Sequence, residues 1–253
     1  MEKVTAIIPA RYGSTRFPGK PLAQINGLPM IQHVCHRVAK ATMVDRVIVA
    51  TDDERIAKVV ENFGGEVMLT RADHPTGTDR LAEVAMKIDA ELIVNVQGDE
   101  PLIDPRMVDQ AIAPLLADPQ IQMGTLATPI DQIDDFHNPN VVKVVKKLDG
   151  TALYFSRSPI PWPRDISAEQ LAKQLPRLGL LRHIGLYVYR RQLLLDYPGW
   201  PTTPLEGLEN LEQLRALERG IALYVAETRY SCHGVDTPAD LERVAKLMAI
   251  ENL

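Results

Sequence analysis

Three cations and two glycines crowd into residues 11–20: Arg11, Gly13, Arg16, Gly19 and Lys20. Glycine lets the backbone approach an anion closely, and N–H groups and cations supply charge-assisted hydrogen bonds. The chemistry this suggests is phosphate binding. Two familiar phosphate loops do not fit. A Walker A loop needs four residues between its glycines and a Ser or Thr after its Lys. Here five residues separate Gly13 from Gly19, and Pro21 follows Lys20. The G-x-G-x-x-G dinucleotide fingerprint is absent too. Taken alone, these residues also fit a solvated basic loop shaped by its prolines.

Two acidic turns complement the cations. Gln97-Gly98-Asp99-Glu100 follows an apolar run, and Gly234-Val235-Asp236-Thr237-Pro238 precedes the last helix pattern. Mg²⁺ is held by one or two carboxylates plus water and substrate phosphates. Asp99 is the first candidate ligand and Asp236 its partner. Capping the final helix is an equal alternative for Asp236.

Such residues act together only if the fold gathers them. Residues 4–8, 46–51 and 66–70 read as short strands rich in β-branched residues, suited to a sheet covered on both faces. Helical stripes lie between them: Met30, Ile31, Val34 and Val38, then Ile56, Val59, Val60 and Phe63. Asp52 or Asp53 can cap the second helix, and Gly64-Gly65 ends it. Residues 71–80 form a polar loop before another helix, and 91–96 a buried strand. This β-α-β alternation opens a doubly wound sheet, whose ligands bind beyond the carboxyl ends of the strands. Residues 11–20, 51–53, 71–80 and 97–100 share that address. The second half is strand-rich, at 124–130, 141–147, 152–155 and 183–189. Pro159 to Pro163 forms a stiff extended stretch. Trp162 and Trp200 suit an interface with a second copy or a local core. Leu205 to Leu217 predicts one helix ending at Gly220. Thr237, Pro238 and Asp240 predict a capping box opening the last helix.

The chain has 253 residues, 45% hydrophobic and 24% charged, enough for one full core. A net charge of −5 argues against nucleic-acid binding. No apolar run reaches membrane-span length. Cys35 and Cys232 form no C-x-x-C pair, which fits a reducing cytoplasm and no thiolate zinc site.

Taken together the segments resemble the bacterial 3-deoxy-manno-octulosonate (Kdo) cytidylyltransferases, the CMP-Kdo synthetases. The matching stretches are 8–22 (IPARYGSTRFPGKPL), 50–53 (ATDD), 70–80 (TRADHPTGTDR), 94–101 (VNVQGDEP) and 154–162 (YFSRSPIPW). They continue at 182–187 (RHIGLY), 211–215 (LEQLR) and 234–238 (GVDTP). The resemblance implies a Rossmann-like nucleotide-diphospho-sugar transferase α/β fold. Its central mixed sheet would be flanked by helices and carry a strand-rich dimerisation arm. The chain would be one domain, 1–253, with a dimerisation and sugar-binding subregion at about 130–205. It implies a cytoplasmic homodimer that joins CTP to Kdo with Mg²⁺. Arg11 and Lys20 would hold the triphosphate, supported by Ser14 and Arg16. Ala10, Thr51, Asp52, His74, Thr76, Gly77, Thr78, Arg80 and Asp99 would complete the nucleotide site. Asp99 and Asp236 would hold the metal. Gln97, Arg157, Arg164, His183, Tyr187, Glu212 and Gln213 would surround the sugar acid. No side chain is assigned as general base.

Two rivals share parts of this pattern. A sugar-1-phosphate nucleotidyltransferase uses a similar loop but attacks with a phosphate. A regulatory nucleotide-binding protein would bind CTP without releasing pyrophosphate.

Overall fold

Strand β1 (Val4–Ala10) is buried along nearly its whole length, as its run of Ile and Val demands. The computed structural model describes residues 4–13 and 17–251, so Ser14 and Arg16 lie outside the described residues. The chain divides into two compact units. The first comprises Met1–Asp109, Val188–Pro198 and Tyr230–Leu253, and the second Gln110–Tyr187 and Gly199–Arg229. The sequence led to one domain with a subregion at about 130–205, and most of that subregion falls in the second unit.

In the first unit, β1 leads through a small hairpin, β2 (Gln24–Ile25) and β3 (Leu28–Pro29), into α1 (Met30–Val38). Then come β4 (Arg46–Thr51), α2 (Glu54–Asn62), β5 (Glu66–Leu69), α3 (Gly77–Met86), β6 (Leu92–Asn95) and α4 (Pro105–Ala117), in which the unit boundary falls. The strands run β6-β1-β4-β5, all parallel. Ala10 pairs with Thr51 and Ile7 with Asn95, so the carboxyl ends of β1, β4 and β6 open on one edge. That is the doubly wound arrangement expected from the alternation of strand and helix patterns.

The second unit holds β7 (Met123–Pro129), α5 (Ile133–His137), β8 (Lys143–Lys146), β9 (Ala152–Ser156), α6 (Ala168–Gln174) and β10 (Leu181–Arg190). The last three residues of β10 and α7 (Arg191–Asp196) return to the first unit. The second unit then adds α8 (Pro204–Glu209), α9 (Gln213–Glu218) and β11 (Leu223–Glu227). Here β11 is parallel to β7, while β8 is antiparallel to both β10 and β9. The fold class is thus α/β with parallel and antiparallel pairings, as expected.

The single helix expected over 205–217 is two. Asn210 sits in the left-handed region at φ 50 and breaks it. Leu208, counted in the stripe, is exposed. Asn tolerates this conformation better than most residues because its side chain bonds locally. The buried Glu206–Arg215 ion pair joins α8 to α9.

The last helix, α10 (Pro238–Glu251), belongs to the first unit. Val244 and Met248 pack with Ile25, Met30, Leu102 and Val235. Fully burying one such side chain is worth about 1.5–3 kcal/mol. This cluster holds the turn containing Asp236 against the body of the unit.

Candidate active site

The basic loop owes its form to Gly19. Its φ is +69, and a Cβ there would lie 3.1 Å from the Tyr12 ring. The Gly19 N–H donates to the Tyr12 carbonyl at 2.9 Å, and the Arg55 guanidinium stacks 3.3 Å above the centre of that ring. A one-turn 3₁₀ helix, Lys20–Leu22, follows.

The acidic turn after β6 approaches the same strand end. Val96 N–H donates to the Ile7 carbonyl at 3.2 Å. A Cβ on Gly98 would stand 2.8 Å from the Pro9 carbonyl oxygen. Only glycine fits there without a shift of backbone. The second acidic turn arrives from the far end of the chain. Val235 N–H donates to the Asp99 carbonyl at 2.9 Å. Lys20 joins all three segments: its Nζ donates to Asp99 Oδ2 at 2.6 Å, Val235 O at 2.9 Å and Asp236 Oδ1 at 3.4 Å. The two aspartates therefore converge on one positive centre.

Thr237, not Asp236, caps α10. The Asp240 N–H donates to Thr237 Oγ1 at 3.2 Å, and Thr237 N–H donates back to Asp240 Oδ2 at 3.0 Å. Two carboxylates and a carbonyl directed at one cation are a fitting donor set for a hard divalent ion. Glu100 lies behind them, its Oε2 accepting from Cys232 Sγ at 2.6 Å. Burial, with Asp99 and Asp236 nearby, pushes its carboxyl up to about 7 against the Cys232 bond and Lys20.

A cavity of about 450 Å³ opens beside this cluster, lined by Pro9, Ala10, Arg11, Gly13, Lys20, Pro21, Gly77, Gln97, Gly98 and Asp99. Six of these were expected at a ligand site: Ala10, Arg11, Lys20, Gly77, Gln97 and Asp99. Arg11 Nη2 donates to the His74 carbonyl at 3.0 Å. His74 Nε2 meets Glu83 Oε2 at 2.6 Å. Burial works to raise Glu83, but bonds from Lys87, the Arg71 N–H and His74 hold it down to about 2.

The structure starts α3 at Gly77, inside what the sequence suggested was loop. Thr76 caps it, its Oγ1 accepting from the Asp79 N–H at 3.2 Å while Asp79 Oδ2 accepts from the Thr76 N–H at 3.0 Å. The first-turn N–H groups of a helix carry partial positive charge, and Gly77 brings them to the cavity wall. Thr78 and Thr51 are buried. Arg80 is wholly buried, its Nη1 3.0 Å from Asp52 Oδ1 and 2.5 Å from Thr70 Oγ1. The Asp52 contact is an ion pair, and Arg80 Nε and Nη2 have no hydrogen-bond partner among the described residues. Burial lowers the Arg80 pKa and Asp52 counters it. Of the two possible caps for α2, the structure uses Asp53, which accepts from the Arg55 N–H at 2.9 Å.

A second cavity, about 430 Å³, opens among Cys35, Arg46, Phe63 and Glu66. It lies at the starts of β4 and β5, away from the acidic turns, and its Arg46–Glu66 pair neutralises itself.

Gln97 belongs to the first unit and donates to Asn95 Oδ1 at 3.3 Å. The other expected sugar-acid residues belong to the second unit. His183 Nε2 lies 2.9 Å from Thr125 Oγ1, and its ring packs edge-on to Phe155 and 5.4 Å from the Tyr187 ring. The residue as a whole is half-buried, but the ring is enclosed, and burial pushes it well below its usual range, to about 3. It is a neutral group at physiological pH. Arg157 is a strut: Nε donates to Glu209 O at 2.6 Å, Nη1 to Pro139 O at 3.0 Å and Nη2 to Asn210 O at 3.2 Å. Three of its five N–H groups are thereby used. Arg164 is exposed. Glu212 occupies the N-cap position of α9, and the Nε2 of buried Gln213 has no hydrogen-bond partner among the described residues.

Sequence reasoning missed Glu209, which accepts from Ser156 Oγ at 2.6 Å and the Arg157 N–H at 2.9 Å. It also missed the Val235 carbonyl. A main-chain acceptor leaves no trace in residue types, and no motif singles out Glu209.

The chain belongs to the cytidylyltransferase family, whose model matches residues 5–227. It is 62% identical over 241 residues to a 3-deoxy-manno-octulosonate cytidylyltransferase of Syntrophotalea carbinolica, covering 95% of this chain and 96% of that one. It is 59% identical over 249 residues to that of Geobacter metallireducens, covering 98% of both. Among solved structures, a CMP:2-keto-3-deoxy-manno-octonic acid synthetase complexed with CTP superposes with a TM-score of 0.91 at 46% identity, over 98% of this chain and 99% of that one.

Proposed function

We propose that the chain transfers CMP from CTP to the anomeric hydroxyl of Kdo, releasing pyrophosphate and supplying CMP-Kdo for lipopolysaccharide synthesis. The observation that carries this reading is the convergence of Asp99 and Asp236 on one cationic centre beside a basic, glycine-lined cavity. The named relatives and the CTP-bound neighbour support the same substrates.

Arg11, Lys20 and the first-turn N–H groups of α3 take the triphosphate, with Ser14 and Arg16 supporting. Ala10, Thr51 and Asp52 border it. Segment 74–80, with His74, Thr76, Thr78 and Arg80, reads the base. Asp99 and Asp236 would hold Mg²⁺, which would supply the positive charge that makes a hydroxyl a better nucleophile. Positive charge around the phosphates stabilises charge developing on the leaving group. Gln97, Arg157, Arg164, His183, Tyr187, Glu212 and Gln213 bind the sugar acid. Arg164 is the better partner for its carboxylate, because Arg157 is tied to three carbonyls. His183, being neutral, serves as a hydrogen-bonding group and not as a counter-charge.

The protein works in the cytoplasm, where two cysteines outside any disulfide are at home. No helix among the described residues is long and apolar enough to cross a membrane. It acts as a homodimer, a reading supported by exposed Leu148, Leu153 and Trp162 in the second unit. Sedimentation at micromolar concentration giving the 28.2 kDa of one chain would remove the dimer.

The test of function is a pyrophosphate-release assay that crosses each nucleoside triphosphate with Kdo, other sugar acids and sugar 1-phosphates. CTP with Kdo should give the dominant signal. Release with a sugar 1-phosphate in place of Kdo would transfer the protein to the rival class.

A further inference from the structure

The ammonium of Lys20 cannot serve two masters at once. A triphosphate cradle needs it among phosphate oxygens. In the structure its contacts are Asp99 Oδ2, Val235 O and Asp236 Oδ1. An ammonium has three protons, and these three acceptors can engage all of them. The side chain is 14% exposed against 33% for Asp99 and 54% for Asp236, so Lys20 is the enclosed member of the cluster. Its backbone is fixed as well, with the Leu22 N–H on the Gly19 carbonyl at 2.8 Å and the Ala23 N–H on the Lys20 carbonyl at 3.1 Å. Any transfer of the charge must therefore run through the four-carbon side chain.

We propose that Lys20 is an exchangeable counterion for the acidic pair. It holds the two turns in register while no divalent cation is present, and it yields the carboxylates when one binds. The inference rests on the metal-site reading above. The electrostatics favour an exchange of this kind. A divalent ion on the same oxygens would face the ammonium at close range, and like charges so near repel strongly. The free ammonium then has a destination of opposite sign in the adjoining cavity, which Lys20 also lines. Metal and triphosphate are thereby coupled: each makes room for the other, and the coupling is reciprocal.

The experiment measures metal binding, not turnover. Nucleotide-free protein is titrated with Mn²⁺, and bound ion is read by electron paramagnetic resonance in wild type, Lys20→Met and Lys20→Arg. Lys20→Met should bind Mn²⁺ about tenfold more tightly than wild type or better, within the usual range of coupling between sites. Lys20→Arg, which keeps the charge, should stay near wild type. Because a variant can disturb the fold, the native protein supplies a second measurement. Reductive methylation of Lys20, quantified by mass spectrometry, should rise several-fold when Mg²⁺ is added, as the ammonium leaves its enclosure. If wild type binds Mn²⁺ but Lys20→Met binds it no more tightly, and Mg²⁺ leaves Lys20 methylation unchanged, the exchange is overturned while the metal site stands. If no form binds Mn²⁺, the metal site falls and the exchange falls with it.

Discussion

Gly98 shows how much one missing methyl group can matter. The acidic turn reaches the cavity because its backbone passes against the Pro9 carbonyl, where an added Cβ would stand 2.8 Å from the oxygen. Gly98→Ala must shift either the turn or the end of β1. Overpacking of this kind typically costs about 1–3 kcal/mol. The expected result is a lower midpoint in urea denaturation together with weakened turnover, since Asp99 moves with the turn. An unchanged midpoint and unchanged kinetics would show that the close approach is not rigid. The sequence displayed Gly98 within an acidic turn but could not display Pro9 beside it. The same limit applies to Arg157, whose three carbonyl acceptors come from residues 139, 209 and 210. Its residue type suggested a ligand for a sugar carboxylate, and its surroundings make it first a structural tie.

At the scale of elements, strand and helix patterns placed most of the chain, and the errors sit where local chemistry overrides periodicity. Segment 71–80 read as loop because it is polar throughout, yet Thr76 and Asp79 cap one another and start α3 at Gly77. The leucine spacing over 205–217 suggested one helix, and Asn210 made two. The start of α3 also has a testable acid sensitivity. Glu83 accepts from His74, Lys87 and the Arg71 N–H, and is held at about 2 against a reference of 4.5. A carboxylate lowered in the folded state stabilises it fully above the unfolded pKa, and that contribution is lost as pH falls through the folded one. The loss should therefore run from about pH 4.5 down towards 2. Glu83→Gln should flatten the pH dependence of stability across that window in urea melts at successive pH values. A variant that loses stability with acid as steeply as wild type would remove Glu83 from this role.

At the scale of the whole chain, the doubly wound order explains why residues so far apart can share a task. Parallel pairing of β1 with β4 and β6 delivers three loops to one edge, and the turn before α10 comes back to meet them. Periodicity made that edge legible from sequence. The return of Asp236 was expected from its residue type and from the family resemblance alone, because nothing in local spacing says where the last turn docks, and a capping role fitted it equally well. The structure resolves this by giving the cap to Thr237 and setting Asp236 on Lys20 with Asp99. The second unit was less legible, since its short strands are joined by irregular segments.

The account stands on those two carboxylates acting together. The direct measurement is pyrophosphate release from CTP and Kdo with Mg²⁺, comparing wild type, Asp99→Asn and Asp236→Asn under saturating substrates. Each exchange keeps shape and removes charge. Both should retain the native circular dichroism and lose at least about 2.7–4 kcal/mol of transition-state stabilisation, a fall of a hundredfold or more in rate. Near-normal turnover by either variant would contradict the claim that the two acidic turns share one catalytic cation.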